Sequence, residues 1–549
     1  MSASSSHQPP NGSTPPPPEA AHRVGPALSL LPIGILALHA ARYGHIADDA
    51  YISFRYARNL ADGMGLAYNP GEAVMGFSNP SWTLLLALGA SVGIDPELAA
   101  PLIGLLAHAV LLALLLRSDP TLSPASLLRV GLPVACGSFA LWTTAGLEGP
   151  LFGLLLSATA LAIPRLGPTA PLRAWALLGL LPTLAVWTRP EGAMFAGALA
   201  CGAALAGRTW TERGRAFAGL LAAPVLAWLA LTGWTLALYG HPVPNTYYAK
   251  AQPLTAALLL RGLRLAWKFQ TTYSLVPALC LVAWLGLGGW RRAGAGRLAA
   301  LLLAGFFAFF VGIGGDALVL HRMWAWTLPW WALVGAEALE LAAGHGISAR
   351  TRGFIAIAAL VVVAAPSVVG KHVDYLRIDE QVVDSGRKLG DELRTLAAAT
   401  GTPIVVAANT IGAVGDRSRL PLVDMLGLTD STIAHNPAKA FATPAHESHD
   451  GAYVLDRRPD LIVFGVPFLR PAPVDAARLA ASAQYASDRD LLADPRLASD
   501  YHAGNLRVGD GFVPLWVRRA WWRDHPEVHP AFVSGRAPGS PGSTRKTTP

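Results

Sequence analysis

From residue 27 to residue 370 the chain repeats one pattern: a run of 16 to 24 mostly apolar residues, then a short turn rich in Gly, Pro or charge. A helix needs about 20 apolar residues to cross a bilayer. By that measure the runs 27–42, 97–116, 125–145, 149–164, 173–188, 191–207, 216–239, 272–290, 298–314, 323–343 and 353–370 read as about eleven spans. A further run, 82–94, has only 13 residues and reads as an interfacial or re-entrant segment. Beyond residue 370 charged residues return. Short apolar runs at 402–407 and 460–466 alternate with helix-like stretches such as 384–399, a pattern that predicts a small α/β or α+β domain. The expected division is a disordered tail at 1–25, a membrane region at 26–370, an α/β domain at 371–533 and a disordered tail at 534–549. Both tails are too rich in Ser, Pro or Gly to bury a core. No cleavable-signal pattern precedes the first run, which reads as a retained anchor.

Composition agrees with this division. With 52% hydrophobic and 14% charged positions over 549 residues, the chain is too apolar for a soluble globule. The net charge of +8 could indicate nucleic acid, but the arginines are scattered between apolar runs and form no basic face. They mark topology. If 82–94 does not span, Arg117, Arg129, Arg165, Arg173, Arg208, Arg213, Arg215, Arg291, Arg292, Arg297, Arg350 and Arg352 all fall on one side, the cytoplasmic one by the positive-inside rule. Cys136, Cys201 and Cys280 lie inside apolar runs and imply no disulfide framework.

The opposite side collects the unusual residues. Asp48-Asp49 follows the first run directly and opens a segment with Tyr51, Phe54, Arg55 and Arg58 at helical spacing, read as a helix lying on the interface. Adjacent carboxylates repel unless a cation or hydrogen-bond donors intervene, so Asp48 and Asp49 are candidates for a catalytic base or for ligands of a divalent cation (Mg, Mn or Ca). The plainer alternative is that they cap a helix at the translocated end of the first span. Glu148, Arg189 and Glu191 stand beside Gly or Pro where spans begin; an Arg189–Glu191 ion pair competes there with substrate contact. Arg322 can grip a phosphate as a bidentate fork, and its alternative is a snorkelling interface cation. Tyr247 and Lys250 are candidates for a second phosphate or sugar contact. Arg55, Asp316 and His321 complete the candidate substrate-binding set, His321 being the one that more often serves as a structural hydrogen-bonder.

These residues carry a resemblance. Asp48-Asp-Ala-Tyr-Ile-Ser-Phe-Arg-Tyr-Ala-Arg-Asn-Leu60, Asn69-Pro-Gly-Glu72, Gly76-Phe-Ser-Asn-Pro-Ser-Trp82, Gly146-Leu-Glu148, Arg189-Pro-Glu-Gly192, Pro244-Asn-Thr-Tyr-Tyr-Ala-Lys250 and Gly314-Gly-Asp316 resemble the bacterial membrane glycosyltransferases of the GT-C class. Within that class they are most similar to the group containing the terminal β-(1→2) arabinofuranosyltransferases. Asp424-Met-Leu-Gly-Leu-Thr-Asp430, His435 and His446-Glu-Ser-His-Asp-Gly-Ala-Tyr453 extend the likeness into the C-terminal part. Met75-Gly76-Phe77-Ser78 and Gly149 depart from the class pattern.

The resemblance implies a polytopic α-helical membrane protein, GT-C-like, with a C-terminal extracytoplasmic α/β domain, in the bacterial inner membrane with its site on the periplasmic side. It also implies transfer of a sugar, arabinofuranose among the candidates, from a polyprenyl-phosphate donor to a glycan or glycolipid acceptor, with inversion. An acidic residue of the first external loop is essential in that class, and Asp48 and Asp49 occupy its place. A transporter or flippase of lipid-linked sugar is the competing reading, although no internal repeat supports a transporter.

Overall fold

The computed structural model describes residues 25–316, 318–368, 372–436, 439–440 and 446–534. Apart from Gly25 and Ser534, the two expected tails lie outside the described residues. The membrane part opens with α1 (Pro26–Ala41), α2 (Asp48–Ala61), α3 (Pro80–Ser91), α4 (Pro96–Ser118), α5 (Pro124–Ala135), α6 (Gly137–Thr144), α7 (Gly149–Leu166), α8 (Leu172–Thr188) and α9 (Gly192–Ala204). It continues with α10 (Trp210–Tyr239), α11 (Asn245–Lys250), α12 (Ala256–Thr272), α13 (Val276–Gly286), α14 (Ala295–Gly312), α15 (Arg322–Ala325), α16 (Leu328–Gly344) and α17 (Ala349–Val368).

The protein is mostly helical and multi-pass. Among the described residues α4, α7, α10, α14 and α17 are long and apolar enough to cross a membrane, which gives five spans, or up to seven if the bent pairs α5–α6 and α12–α13 each count as one. Eleven was the expectation, and the difference has local causes. The 125–145 run breaks at Cys136 and bends by 58°. The 272–290 run is not one helix: Ser274 and Leu275, at φ 50° and 62°, turn the chain so that α12 and α13 meet at 93°. Helices α8 and α9, with 17 and 13 residues, are apolar but short. The 82–94 run forms α3, only 12 residues, or about 18 Å at 1.5 Å per residue. At one end of the bundle the arginine-bearing turns touch: Arg165 donates to the Arg117 carbonyl (3.4 Å), Arg297 to that of Gly202 (3.4 Å) and Arg352 to that of Leu339 (3.4 Å), while Arg129 pairs with Glu340 (2.7 Å).

A long helix, α18 (His372–Thr400), leads from the bundle to a six-stranded mixed sheet. Strands β1 (Val406–Ala408), β2 (Leu422–Asp424) and β3 (Leu461–Val463) are parallel; β4 (Tyr501–Val508), β5 (Gly511–Arg518) and β6 (Phe532–Val533) are antiparallel, in the order β2-β1-β3-β5-β4-β6. After β1 the chain forms the short helix α19 (Gly412–Ser418), which packs against both α18 and α2.

Helix α2 corrects one expectation. It does not lie on an open interface: nine of its 14 residues are buried, because bundle and sheet domain enclose it from both sides. Ala50, Tyr51, Phe54 and Ala57 belong to the bundle core, while Ile52 and Tyr56 join Leu389, Leu393, Val406 and Leu422 in the core beneath the sheet. Its polar face is therefore buried too. The Arg55 guanidinium, 1% exposed, donates to the carbonyls of Tyr68 (2.8 Å), Gly415 (2.8 Å) and Leu420 (2.7 Å) and to Asn69 Oδ1 (3.2 Å), and lies 4.1 Å from the centre of the Tyr68 ring. Such a fork satisfies four acceptors at once, which a lysine cannot do. Asn69 pairs with both the N–H and the carbonyl of Leu422, covering the open edge of β2.

Asp48 is bound in the same joint. Its two oxygens accept from the amides of Gly412 (3.1 Å) and Ala413 (2.8 Å) at the start of α19, and a Cβ at Gly412 would fall 2.0 Å from the Asp48 carbonyl oxygen. Removal from water pushes the Asp48 carboxyl up to about 7, against the pull of the two amides.

Replacing Arg55 with Met leaves four buried acceptors without donors and should destabilise the protein by on the order of 3 kcal/mol. The check is thermal unfolding in detergent, where an unchanged melting temperature would contradict the joint. Because the folded pKa of Asp48 is raised, its contribution is full at low pH and is lost as pH rises through about 7. The gap in melting temperature between wild type and Asp48→Asn should therefore narrow from pH 4 to pH 8. A constant or widening gap would contradict the assignment.

Candidate active site

A cavity of about 520 Å³ opens where the loops opposite the arginine-bearing end converge under the sheet domain. Asp49, Glu148, Arg189, Glu191, Tyr247, Lys250, Asp316 and Arg322 all line it, so eight residues singled out from the sequence share one cavity. The loops that bring them together are anchored by buried polar contacts. Asn79 donates to Glu148 (2.7 Å) and accepts from Ser53 of α2 (3.2 Å), tying the loop before α3 to the start of α7.

Three arginines face the cavity, each held by carboxylates. Arg322 pairs bidentately with Asp316 (3.0 and 3.2 Å) and reaches Asp49 with Nη1 at 3.3 Å. Arg189 bridges Glu148 (2.6 Å) and Glu191 (2.5 Å), which realises the ion pair weighed for Arg189–Glu191 while leaving all three on the wall. Arg261 pairs with Glu447 at 3.2 Å. Lys250 differs: among the described residues it makes no hydrogen bond or ion pair. Burial lowers its pKa, with Arg322 and Arg189 acting the same way and Asp49 and Asp316 opposing. An ammonium so placed is ready for an anion that arrives from outside.

Backbone strain lies next to Arg322. Leu320 and His321 take φ 49° and 55°, the left-handed region that costs non-glycine residues about 1–3 kcal/mol each. The segment is pinned from behind: Ser138 donates to the Leu320 carbonyl (2.6 Å), Trp142 to that of Val319 (3.1 Å), and His321 Nε2 meets the Thr272 hydroxyl at 3.1 Å. The guanidinium is thus aimed by its backbone.

Three candidates are not brought to the cavity. Asp48 points into the α19 joint, so of the acidic pair Asp49 alone lines the wall, with its side chain one-third exposed. Arg55 is sealed beneath the sheet domain, 1% exposed, because the acceptors it meets come from residues 415 and 420, far along the chain. His321 sits behind the wall against Phe269 and Tyr273. Sequence reasoning missed Arg261, on α12, and Glu447 and Leu428, which the C-terminal domain supplies to the wall. The amphipathic character of α12, with Arg261, Arg264 and Lys268, was the available signal for the first.

The two carboxylates also diverge too far in role to form a metal site together. Asp48 is bound to amides and Asp49 to an arginine, and among the described residues no three His, Cys, Asp or Glu side chains gather as metal ligands. As placed, the pair does not hold one divalent cation between them, since such an ion takes six or more oxygens with carboxylates prominent among them.

A domain of unknown function (DUF8728) matches residues 375–512. Across 92% of its length the chain superposes on 78% of the apo oligosaccharyltransferase of Archaeoglobus fulgidus, at a TM-score of 0.44 and 10% identity. It is 30% identical over 261 residues to a terminal β-(1→2)-arabinofuranosyltransferase of Mycobacterium tuberculosis. That stretch is 44% of this chain, and it spans 40% of the length of the relative. The relative carries the name of the arabinofuranosyltransferase group that the motifs resemble.

Proposed function

We propose that this protein is an inverting membrane glycosyltransferase that moves a sugar from a polyprenyl-phosphate donor to an extracytoplasmic glycan or glycolipid, in the bacterial inner membrane with its cavity and C-terminal domain on the periplasmic side. Arabinofuranose is the first sugar to test, since the similar Mycobacterium tuberculosis protein is named for its transfer. The observation that carries the reading is that one cavity is lined by a partly exposed carboxylate (Asp49), by Arg322 paired with it, and by Lys250, which has no ion-pair partner among the described residues. A base beside two cations is what displacement of a phosphate by a hydroxyl requires. The cavity also has an apolar side, Leu258, Phe309 and Ile313, suited to the first units of a prenyl chain.

In this mechanism Asp49 accepts the proton of the acceptor hydroxyl as that oxygen attacks the anomeric carbon. The bond from that carbon to the phosphate oxygen breaks, and its electrons go to the phosphate. Lys250 and Arg322 neutralise the charge that grows there. The donor phosphate competes with Asp49 for Arg322, so binding it loosens the 3.3 Å contact and leaves the carboxylate free to take the proton. Glu148, Arg189, Glu191 and Tyr247, which line the same cavity, would contact sugar hydroxyls.

General-base assistance is worth about 10²–10⁴-fold, so Asp49→Asn should reduce transfer from polyprenyl-phospho-arabinose by at least about 100-fold at unchanged melting temperature. Activity retained in that variant would sink the assignment, and a wild type inert toward all lipid-linked sugars would favour a transporter or flippase. Lys250→Ala should lower kcat/KM for the donor about tenfold or more, through kcat as well as KM, from loss of a charged hydrogen bond that strengthens as charge grows on the phosphate. An unchanged kcat/KM would remove Lys250 from the phosphate site.

A further inference from the structure

The segment 446–450 was conspicuous in the sequence and has no part in the mechanism above, yet its Glu447 reaches the cavity. This glutamate is 1% exposed, belongs to the C-terminal domain, and pairs across the domain boundary with Arg261 of α12. Arg261 in turn donates through Nε to the carbonyl of Gly314 at 3.1 Å. Gly314 and Gly315 adopt φ 76° and 88°, and a Cβ on either would collide with Leu258 or Leu265 of α12 at about 2.5 Å. The turn is therefore seated directly on α12, and the next residue, Asp316, holds Arg322 in its bidentate pair.

The same segment also reaches α11. Ser448 donates to the carbonyl of Ala249 (2.8 Å), and Lys439, which bonds Ser448 (2.5 Å), donates to that of Tyr248 (3.1 Å). Both carbonyls belong to α11, which ends in Lys250. One short stretch of the C-terminal domain thus fixes the backbone under each of the two cations assigned to the donor phosphate.

We infer that Glu447 is a positioning residue for transfer: by holding Arg261 against the Gly314–Asp316 turn it sets the aim of Arg322, so the phosphate site is complete only when the C-terminal domain is docked. The inference rests on the proposed transfer reaction. A buried carboxylate does not itself attract an anion, so the use of Glu447 beside a phosphate site lies in what it holds, Arg261. That use is alignment of the departing phosphate, since small misplacements at a reacting centre cost rate rather than affinity.

The test compares full-length wild type, Glu447→Gln and Glu447→Asp in detergent. It measures melting temperature, the stoichiometry and Kd of farnesyl phosphate binding, and transfer from polyprenyl-phospho-arabinose. Glu447→Gln should bind farnesyl phosphate at wild-type stoichiometry and about threefold more tightly, because a negative charge leaves the cavity. Its kcat should fall about tenfold with no rise in donor KM, and Glu447→Asp should recover most of that loss. An unchanged kcat in Glu447→Gln would overturn the inference, as would a loss matched by an equal fall in binding stoichiometry, which marks a folding defect. If the wild type binds farnesyl phosphate but transfers no sugar, the transfer reading fails and the positioning role falls with it, whereas transfer by the wild type with an unchanged kcat in Glu447→Gln overturns the positioning role alone.

Discussion

Arg55 is the constraint on which the architecture depends. A guanidinium that is 1% exposed and donates to acceptors at residues 68, 69, 415 and 420 cannot be satisfied by either domain alone. A buried charge is tolerated only when it is hydrogen-bonded or paired, so docking of the sheet domain over α2 depends on these acceptors being in place. Around that contact the other joints fall into line. Asp48 holds the start of α19, Asn69 covers the edge of β2, and Tyr56 receives the Gly76 amide and donates to the Val74 carbonyl. The cavity lies immediately beside this joint, and its wall starts at Asp49, the neighbour of one joint residue.

This placement gives adjacent carboxylates separate uses. On a helix, successive side chains point about 100° apart, so when Asp48 turns into the joint Asp49 turns toward the cavity. The arrangement separates the two carboxylates: amides hydrogen-bond Asp48, whose carboxyl burial still pushes up to about 7, and a guanidinium faces Asp49. It also makes the geometry of Asp49 depend on packing between domains, and the contacts of Asn245 with the Gly427 and Leu428 carbonyls extend that dependence across the cavity mouth.

Much of the wall was legible in the sequence because membrane topology sorts loops by side. Once 82–94 was read as too short to cross, Asp49, Glu148, Arg189, Glu191, Lys250, Asp316 and Arg322 all fell at one end, and the cavity gathers them there. Span counting was less successful, since left-handed residues at 274 and 275 and a break at Cys136 bend segments whose composition looks continuous. The roles of Arg55 and Asp48 were hidden for a different reason. The partners of Asp48 and two of the four acceptors of Arg55 lie 360 or more residues away in sequence, and a polar helical face reads the same whether water or a second domain covers it. Glu447 and Arg261 were hidden by the same long-range pairing.

The most direct measurement is an electron cryo-microscopy structure of the full-length protein with farnesyl phosphate bound. The account predicts the phosphate within hydrogen-bond reach of Lys250 and Arg322, with its prenyl chain along Phe309 and Ile313 and Asp49 no longer held by Arg322. A phosphate seated at the arginine-bearing end of the bundle, or within the sheet domain away from this cavity, would contradict it.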